Sequence, residues 1–309
     1  MKNALRSILI LLLIQSCTSK QNEATDKIQS GVVEFEGISF HYVREGKGDP
    51  IVVIGSSVYY PRAFSKDFKD QFEMVFVDSR HFIPSYVPSD EDSISLSTWA
   101  GDLEIIRKNL GLGKIALIGH SIHAQIAIEY ATLYPQNTKR LILLNGVPYS
   151  FSEFGEMRDN FWEEEADEKR KSAYEYRLSK RDSILSITPP DRQFAENYNI
   201  NAPRFWIDPN YDATYLFDDV KTSPEAFSIL VRSIPSKEVV KQKLENLRMP
   251  TIIILGRLDF GIPYLAWEQI IQGSQIEYHL MKDASHNPFT EDVTSREFNE
   301  ILLEWISKN

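Results

Sequence analysis

Five runs of apolar residues without a polar break, at positions 51–54, 74–77, 115–118, 141–144 and 252–255, frame the chain. A strand exposed on one face alternates apolar and polar residues, so an unbroken run predicts a strand covered on both faces, as in a parallel sheet flanked by helices. Between the runs, apolar residues recur at helical spacing over 96–110, with Ser97 or Thr98 as cap, and over 238–248 and 264–271. A short helix is expected over 64–68, a further strand over 275–281 and a last helix ending near 307. Two alternating segments, 32–36 and 38–43, meet at Gly37 and predict a hairpin at the sheet edge. The fold class expected is α/β, a mostly parallel sheet flanked by helices.

Residues 147–235 break the pattern. They are rich in aromatic and charged side chains, carry prolines at Pro189, Pro190, Pro203, Pro209 and Pro224, and contain no buried-strand run. This predicts an inserted helical lid, with residues 31–146 and 236–309 as the core. The 309 residues are 42% hydrophobic, enough for one large core. The lid aromatics Phe151, Phe154, Trp162, Tyr174, Tyr176, Phe205, Trp206, Tyr211 and Tyr215 are candidates for a pocket wall, and the carboxylates Glu163, Glu164 and Glu165 for a solvated helix face.

The amino terminus follows different rules. Lys2 and Arg6 precede an apolar stretch over 8–14 and then Gln15-Ser16-Cys17, which reads as a signal peptide over 1–16 and resembles a lipobox whose Cys17 receives lipid. Residues 17–30 are then a polar tether, and the expected location is outside the cytoplasm, anchored to a bacterial membrane by lipid alone. Cys17 is the single cysteine, so no disulfide within the chain and no cysteine-based metal site is expected. A net charge of -10 without a basic cluster argues against a nucleic-acid partner.

The chemistry concentrates where the run 115–118 ends. Gly119-His120-Ser121-Ile122-His123 stands between a strand and an amphipathic helix that stops at Tyr134-Pro135. A serine at such a turn is held in a strained pose that exposes its hydroxyl, while the amide of the next residue and the positive helix end face the same point. Ser121 is therefore the candidate nucleophile and the Ile122 amide a candidate oxyanion donor. The loop after residue 54 lies beside this turn in such a sheet, which makes Ser56 the second candidate donor. His123 stands where a small side chain is expected, because helix and strand approach closely there.

A serine hydroxyl needs an imidazole to take its proton and a carboxylate to orient that imidazole. Asp259 and His286 lie in loops past the late strands and follow Ser121 in the order Ser, Asp, His. The position after residue 144 holds Asn145, which cannot act as the acid. The segments Gly119-His120-Ser121, Ala127-Ile128-Glu129-Tyr130-Ala131, Arg140-Leu141-Ile142-Leu143-Leu144-Asn145, Gly256-Arg257-Leu258-Asp259 and Ser285-His286 resemble an α/β-hydrolase of the proline-iminopeptidase-like group, over nearly all of residues 31–309. The resemblance implies a Ser-His-Asp hydrolase with a lid, acting on a small molecule and needing no cofactor or metal.

Prolyl aminopeptidases carry Gly-Gly-Pro-Gly in the oxyanion loop and Gly-x-Ser-Trp-Gly at the serine turn. Here these are Gly55-Ser56-Ser57-Val58 and Gly119-His120-Ser121-Ile122-His123. An esterase or amidase is accordingly expected ahead of an aminopeptidase. A lipid-anchored protein that binds a small molecule without turning it over is the alternative from another class, and reactivity towards a fluorophosphonate separates the two.

Overall fold

The computed structural model describes residues 28–89 and 94–309. The expected signal peptide, Cys17 and the tether up to residue 27 lie outside the described residues. Within them, one sheet is built from β1 (Gln29–Phe35), β2 (Ile38–Gly46), β3 (Pro50–Gly55), β4 (Glu73–Asp78), β5 (Ile115–His120), β6 (Thr138–Leu144), β7 (Thr251–Gly256) and β8 (Glu277–Met281). Across the sheet the order is β1-β2-β4-β3-β5-β6-β7-β8. β2 pairs antiparallel with β1 and β4, and the remaining pairs are parallel.

The five unbroken runs are the strands β3 to β7, and successive side chains go to opposite faces. Val52, Ile54, Val75, Leu117, Leu141 and Ile253 join one apolar cluster, while Ile51, Val53, Met74, Ile118, Ile142 and Ile254 join the other. Each strand is thus buried twice, which is why no polar residue interrupts it; each such side chain contributes about 1.5–3 kcal/mol. The first face is covered by α3 (Leu96–Asn109), α4 (His123–Leu133), α10 (Lys237–Glu245) and α11 (Tyr264–Ile271). The second is covered by α1 (Tyr59–Ala63), α2 (Lys66–Lys69) and α12 (Asp292–Lys308). Between β6 and α10 come α5 (Phe151–Glu165), α6 (Glu168–Ile187), α7 (Gln193–Ile200), α8 (Ala202–Phe205) and α9 (Pro224–Arg232).

Local departures from the sequence expectations have capping causes. The helix expected over 64–68 is two helices, because Ser65 is extended (φ -61°, ψ 148°) and its side chain accepts from the Phe68 amide. α3 is capped by Ser95, two residues before Ser97 and three before Thr98, with the Ser95 amide donating to Thr98 Oγ1 at 3.2 Å. β1 starts at Gln29, two residues inside the stretch assigned to the tether, and β8 starts at Glu277.

Candidate active site

Ser121 follows β5 directly at φ 55°, in the left-handed region that costs a non-glycine residue about 1–2 kcal/mol. Neighbouring backbone holds it there. Its amide donates to the Leu144 carbonyl at 3.1 Å, and its carbonyl accepts from the amides of Ala124 at 3.1 Å and Val147 at 2.9 Å. Strand and helix come close because glycines face alanines: a Cβ on Gly119 would lie 2.7 Å from that of Ala127, and one on Gly146 would lie 2.4 Å from that of Ala124. The smallness expected of residue 123 is therefore met by these four residues. The His123 ring points elsewhere, into space left by Gly55 at the end of β3. There φ is 144°, and a Cβ would sit 2.8 Å from His123 Cε1 and 2.5 Å from Tyr60 Cε2.

The loops after β7 and β8 are stitched together. The Arg257 amide donates to Met281 at 2.9 Å and the Leu258 amide to Ala284 at 2.8 Å, and a Cβ on Gly256 would meet the Ser285 carbonyl at 2.1 Å. This registration puts His286 Nδ1 2.6 Å from Asp259 Oδ2, with both side chains buried. Asp259 Oδ2 also accepts from Asn145 Nδ2 at 3.0 Å, and Oδ1 accepts from the amides of Gly261 at 3.0 Å and Ile262 at 2.9 Å. Four donors converge on one carboxylate and fix its orientation. Asn145, dismissed from the sequence as an acid, is thus one of the groups that fix the Asp259 carboxylate in place.

Ile122 opens the first turn of α4, where helix amides lack a partner one turn back, and it lines the cavity beside Ser121. Ser56 uses its side chain and its carbonyl to start the next helix, which leaves its amide, the group expected to donate, out of these bonds. Its hydroxyl oxygen accepts from the amides of Val58 at 3.2 Å and Tyr59 at 3.0 Å, and its carbonyl from that of Tyr60 at 3.3 Å. The one-turn helix formed this way puts Tyr59 and Tyr60, instead of Ser56, on the cavity wall. The Ser57 amide is taken by Asp78 Oδ1 at 2.6 Å.

Behind Ser121 lies a chain of three buried imidazoles that the sequence reading did not connect. His120 Nε2 faces the His286 carbonyl at 3.0 Å and must carry the proton, so its Nδ1 accepts from Tyr60 Oη at 3.1 Å. His123 Nδ1 faces both the His120 carbonyl and Tyr60 Oη at 3.1 Å and must donate, which leaves its Nε2 to accept from His81 Nε2 at 3.1 Å. His81 Nδ1 then accepts from Ser79 Oγ at 2.9 Å. Every ring has one neutral tautomer that satisfies its neighbours, and a second proton on any of them would break the series. Burial accordingly holds His81 and His120 well below the usual histidine range and His123 down to about 4.

This has a sign for stability. The unfolded histidines gain protons below about pH 6.5 and the folded ones resist, so their contribution is complete above that value and is lost as the pH falls towards about 4. Buried acids act oppositely: burial raises Asp78 to about 6 and Glu291 to about 7, so each disfavours folding as the pH rises through those values. The histidine part is isolated by a variant. In His81→Phe the slope of unfolding free energy between pH 5 and 6.5 should flatten by up to about 1.4 kcal/mol per pH unit. Urea titrations across that range measure it, and an unchanged slope would mean that His81 titrates as an exposed histidine does.

A cavity of about 340 Å³ contains Ser121, Ile122 and His286 in its wall. The lid supplies Phe151, Phe194, Tyr198, Phe205, Phe217 and Phe227. Phe151 and Phe205 were among the aromatics expected there, whereas Phe154, Trp162 and Trp206 are buried in packing and Tyr176 is exposed. The lid also holds the His286 loop. The His286 amide donates to the Phe205 carbonyl at 3.2 Å, and Asn287 Nδ2 donates to Tyr198 Oη at 2.7 Å. Asn287 Oδ1 accepts from Tyr59 Oη at 3.0 Å. Among the described residues no Asp or Glu lines this cavity; its charged lining residues are Arg158 and Arg204. Glu163, Glu164 and Glu165 are exposed to solvent, as expected.

Comparison with known proteins agrees with this architecture. A family model described as alpha/beta hydrolase fold matches residues 53–293. The AB hydrolase superfamily protein YclE of Bacillus subtilis is 30% identical over 283 residues, covering 91% of this chain and 99% of its own. The proline iminopeptidase of Clostridioides difficile is 24% identical over 310 residues, covering 92% of this chain and 99% of its own. In structure, an alpha/beta fold family hydrolase from Bacillus anthracis superposes with a TM-score of 0.64 at 19% identity, over 90% of this chain and 99% of that one.

Proposed function

Since the chain belongs to the alpha/beta hydrolase fold family, we propose that it is a serine hydrolase of small esters or amides in which Ser121 is the nucleophile, His286 the general base and Asp259 the group that orients and stabilises the imidazole. In this mechanism Ser121 Oγ adds to the substrate carbonyl carbon while His286 Nε2 takes its proton. The carbonyl oxygen gains negative charge facing the Ile122 amide and the end of α4. When the tetrahedral species collapses, the leaving oxygen or nitrogen takes the proton back from Nε2, and an acyl group stays on Ser121. Water enters, gives its proton to Nε2 and repeats the addition, releasing the acid and restoring Ser121. The hydrogen bond from Nδ1 to Asp259 keeps Nε2 as the basic nitrogen at both steps.

The observation that selects among substrates is the lack of any lining carboxylate in the described cavity. An aminopeptidase must hold a free α-ammonium beside the scissile carbonyl, and desolvating it without a partner costs several kcal/mol. The aromatic wall instead favours an acyl chain. Acyl esters such as p-nitrophenyl butyrate should therefore show kcat/KM about 10-fold or more above aminoacyl p-nitrophenyl esters, which keep the leaving group constant. A preference for the free-amine ester would overturn this reading in favour of the activity named for the Clostridioides relative.

A further inference from the structure

The lid part of the cavity wall carries two cations and, among the described residues, no carboxylate; Asp159 and Glu163 act on Arg204 from outside the lining. Arg158 on α5 and Arg204 on α8 both line it. Arg158 Nε is 2.9 Å from Asp159 Oδ1, and that oxygen is the carboxylate contact of Arg204 as well, at 3.9 Å from its Nη1. Two guanidinium groups thus share one carboxylate, whose side chain is 59% exposed. The Arg204 side chain is only 15% exposed, and its buried Nε has no acceptor in the protein. Its guanidinium lies 4.7 Å from the ring centroids of both Trp162 and Tyr174. Those faces hold the group flat and offset part of its desolvation, but they offer no lone pair to its N–H donors. Burying a cation with donors unused is costly unless an anion completes it.

We propose that Arg158 and Arg204 form a subsite for a carboxylate carried by the substrate, so that this hydrolase acts on esters bearing a free acid group some distance from the scissile carbonyl. The subsite rests on the hydrolase reading for its role in turnover. A planar carboxylate matches the fork of a guanidinium already fixed by its two rings, and the aromatic side chains that share the cavity with the arginines and Ser121 offer an apolar surface to the intervening chain. The same charge repels an α-ammonium, in keeping with the preference argued above.

The test compares p-nitrophenyl monoesters of four- to eight-carbon dicarboxylic acids with their neutral methyl esters, and hexanoate esters of 4-hydroxybenzoate with those of methyl 4-hydroxybenzoate. The first series places the acid on the acyl half, the second on the leaving half. In at least one series kcat/KM should favour the acid about 10- to 100-fold, and that ratio should fall at least about tenfold in Arg204→Gln and in the more exposed Arg158→Gln. Calorimetric binding of 4-phenylbutanoate and 4-phenylbutanamide to Ser121→Ala protein gives the same comparison without turnover, with the carboxylate expected to bind about tenfold tighter or more. Equal affinities, or an acid preference that survives both arginine substitutions, would overturn the subsite. Loss of hydrolysis towards every ester, with the calorimetric preference intact, would overturn the hydrolase reading and leave the subsite standing.

Discussion

Ser121→Ala should lower kcat by about 10⁴-fold or more, because the members of a nucleophile–base pair act as a unit and removing one forfeits what the others supply. That is roughly 5.5 kcal/mol of lost transition-state stabilisation. The loss would be chemical and not structural. Alanine meets the same left-handed backbone penalty at φ 55° that serine already bears, and the bonds holding this turn come from the backbone of Leu144, Ala124 and Val147. Turnover of p-nitrophenyl butyrate beside the thermal midpoint of the same protein separates the two. A correctly folded variant with wild-type turnover would rule out Ser121 as nucleophile, and labelling by a fluorophosphonate should vanish together with activity.

The second large effect is expected from Asp259→Asn, with kcat lower by about 10³- to 10⁴-fold. The geometry specifies how. The amides of Gly261 and Ile262 both donate to Oδ1, so the asparagine oxygen stays there and its NH₂ replaces Oδ2. That NH₂ then faces His286 Nδ1 and Asn145 Nδ2, both donors in the native protein. The imidazole can answer only by moving its proton to Nε2, which makes it unable to accept the proton of Ser121, while Asn145 is left against a second donor. The variant should fold, with stability lowered by about 1–3 kcal/mol for the opposed donors. A fall in kcat of less than tenfold would assign the orienting role to another carboxylate.

The parts of this protein that were legible in its sequence are those set by local periodicity. The runs in β3 to β7 are unbroken because helices cover both faces, and the turn at Ser121 announces itself by a change from strand to helical spacing. What escaped depends on contacts between distant segments. That the Ser56 hydroxyl caps the helix carrying Tyr59 and Tyr60 is not visible in the loop sequence, where only its amide drew notice. Asn145 looks inert because its role lies in a carboxylate 114 positions away in the chain. Phe194 and Tyr198, absent from the lid aromatics expected above, do show the i, i+4 spacing of a common helix face, and that signal went unread. The imidazole series had a signal too, since His81 comes three residues after β4 and His120 and His123 flank the serine, but only Gly55 on a third segment makes room for them to meet.

The bonds between the lid and the His286 loop constrain how substrate enters and leaves. An outward swing of α7 and α8 has to break the bond from Asn287 to Tyr198 and the one from the His286 amide to Phe205. On the proposed mechanism, such a swing would take two hydrogen bonds away from the loop that carries the base. Access to the cavity and the placing of the imidazole would then share two hydrogen bonds, and weakening either should lower kcat.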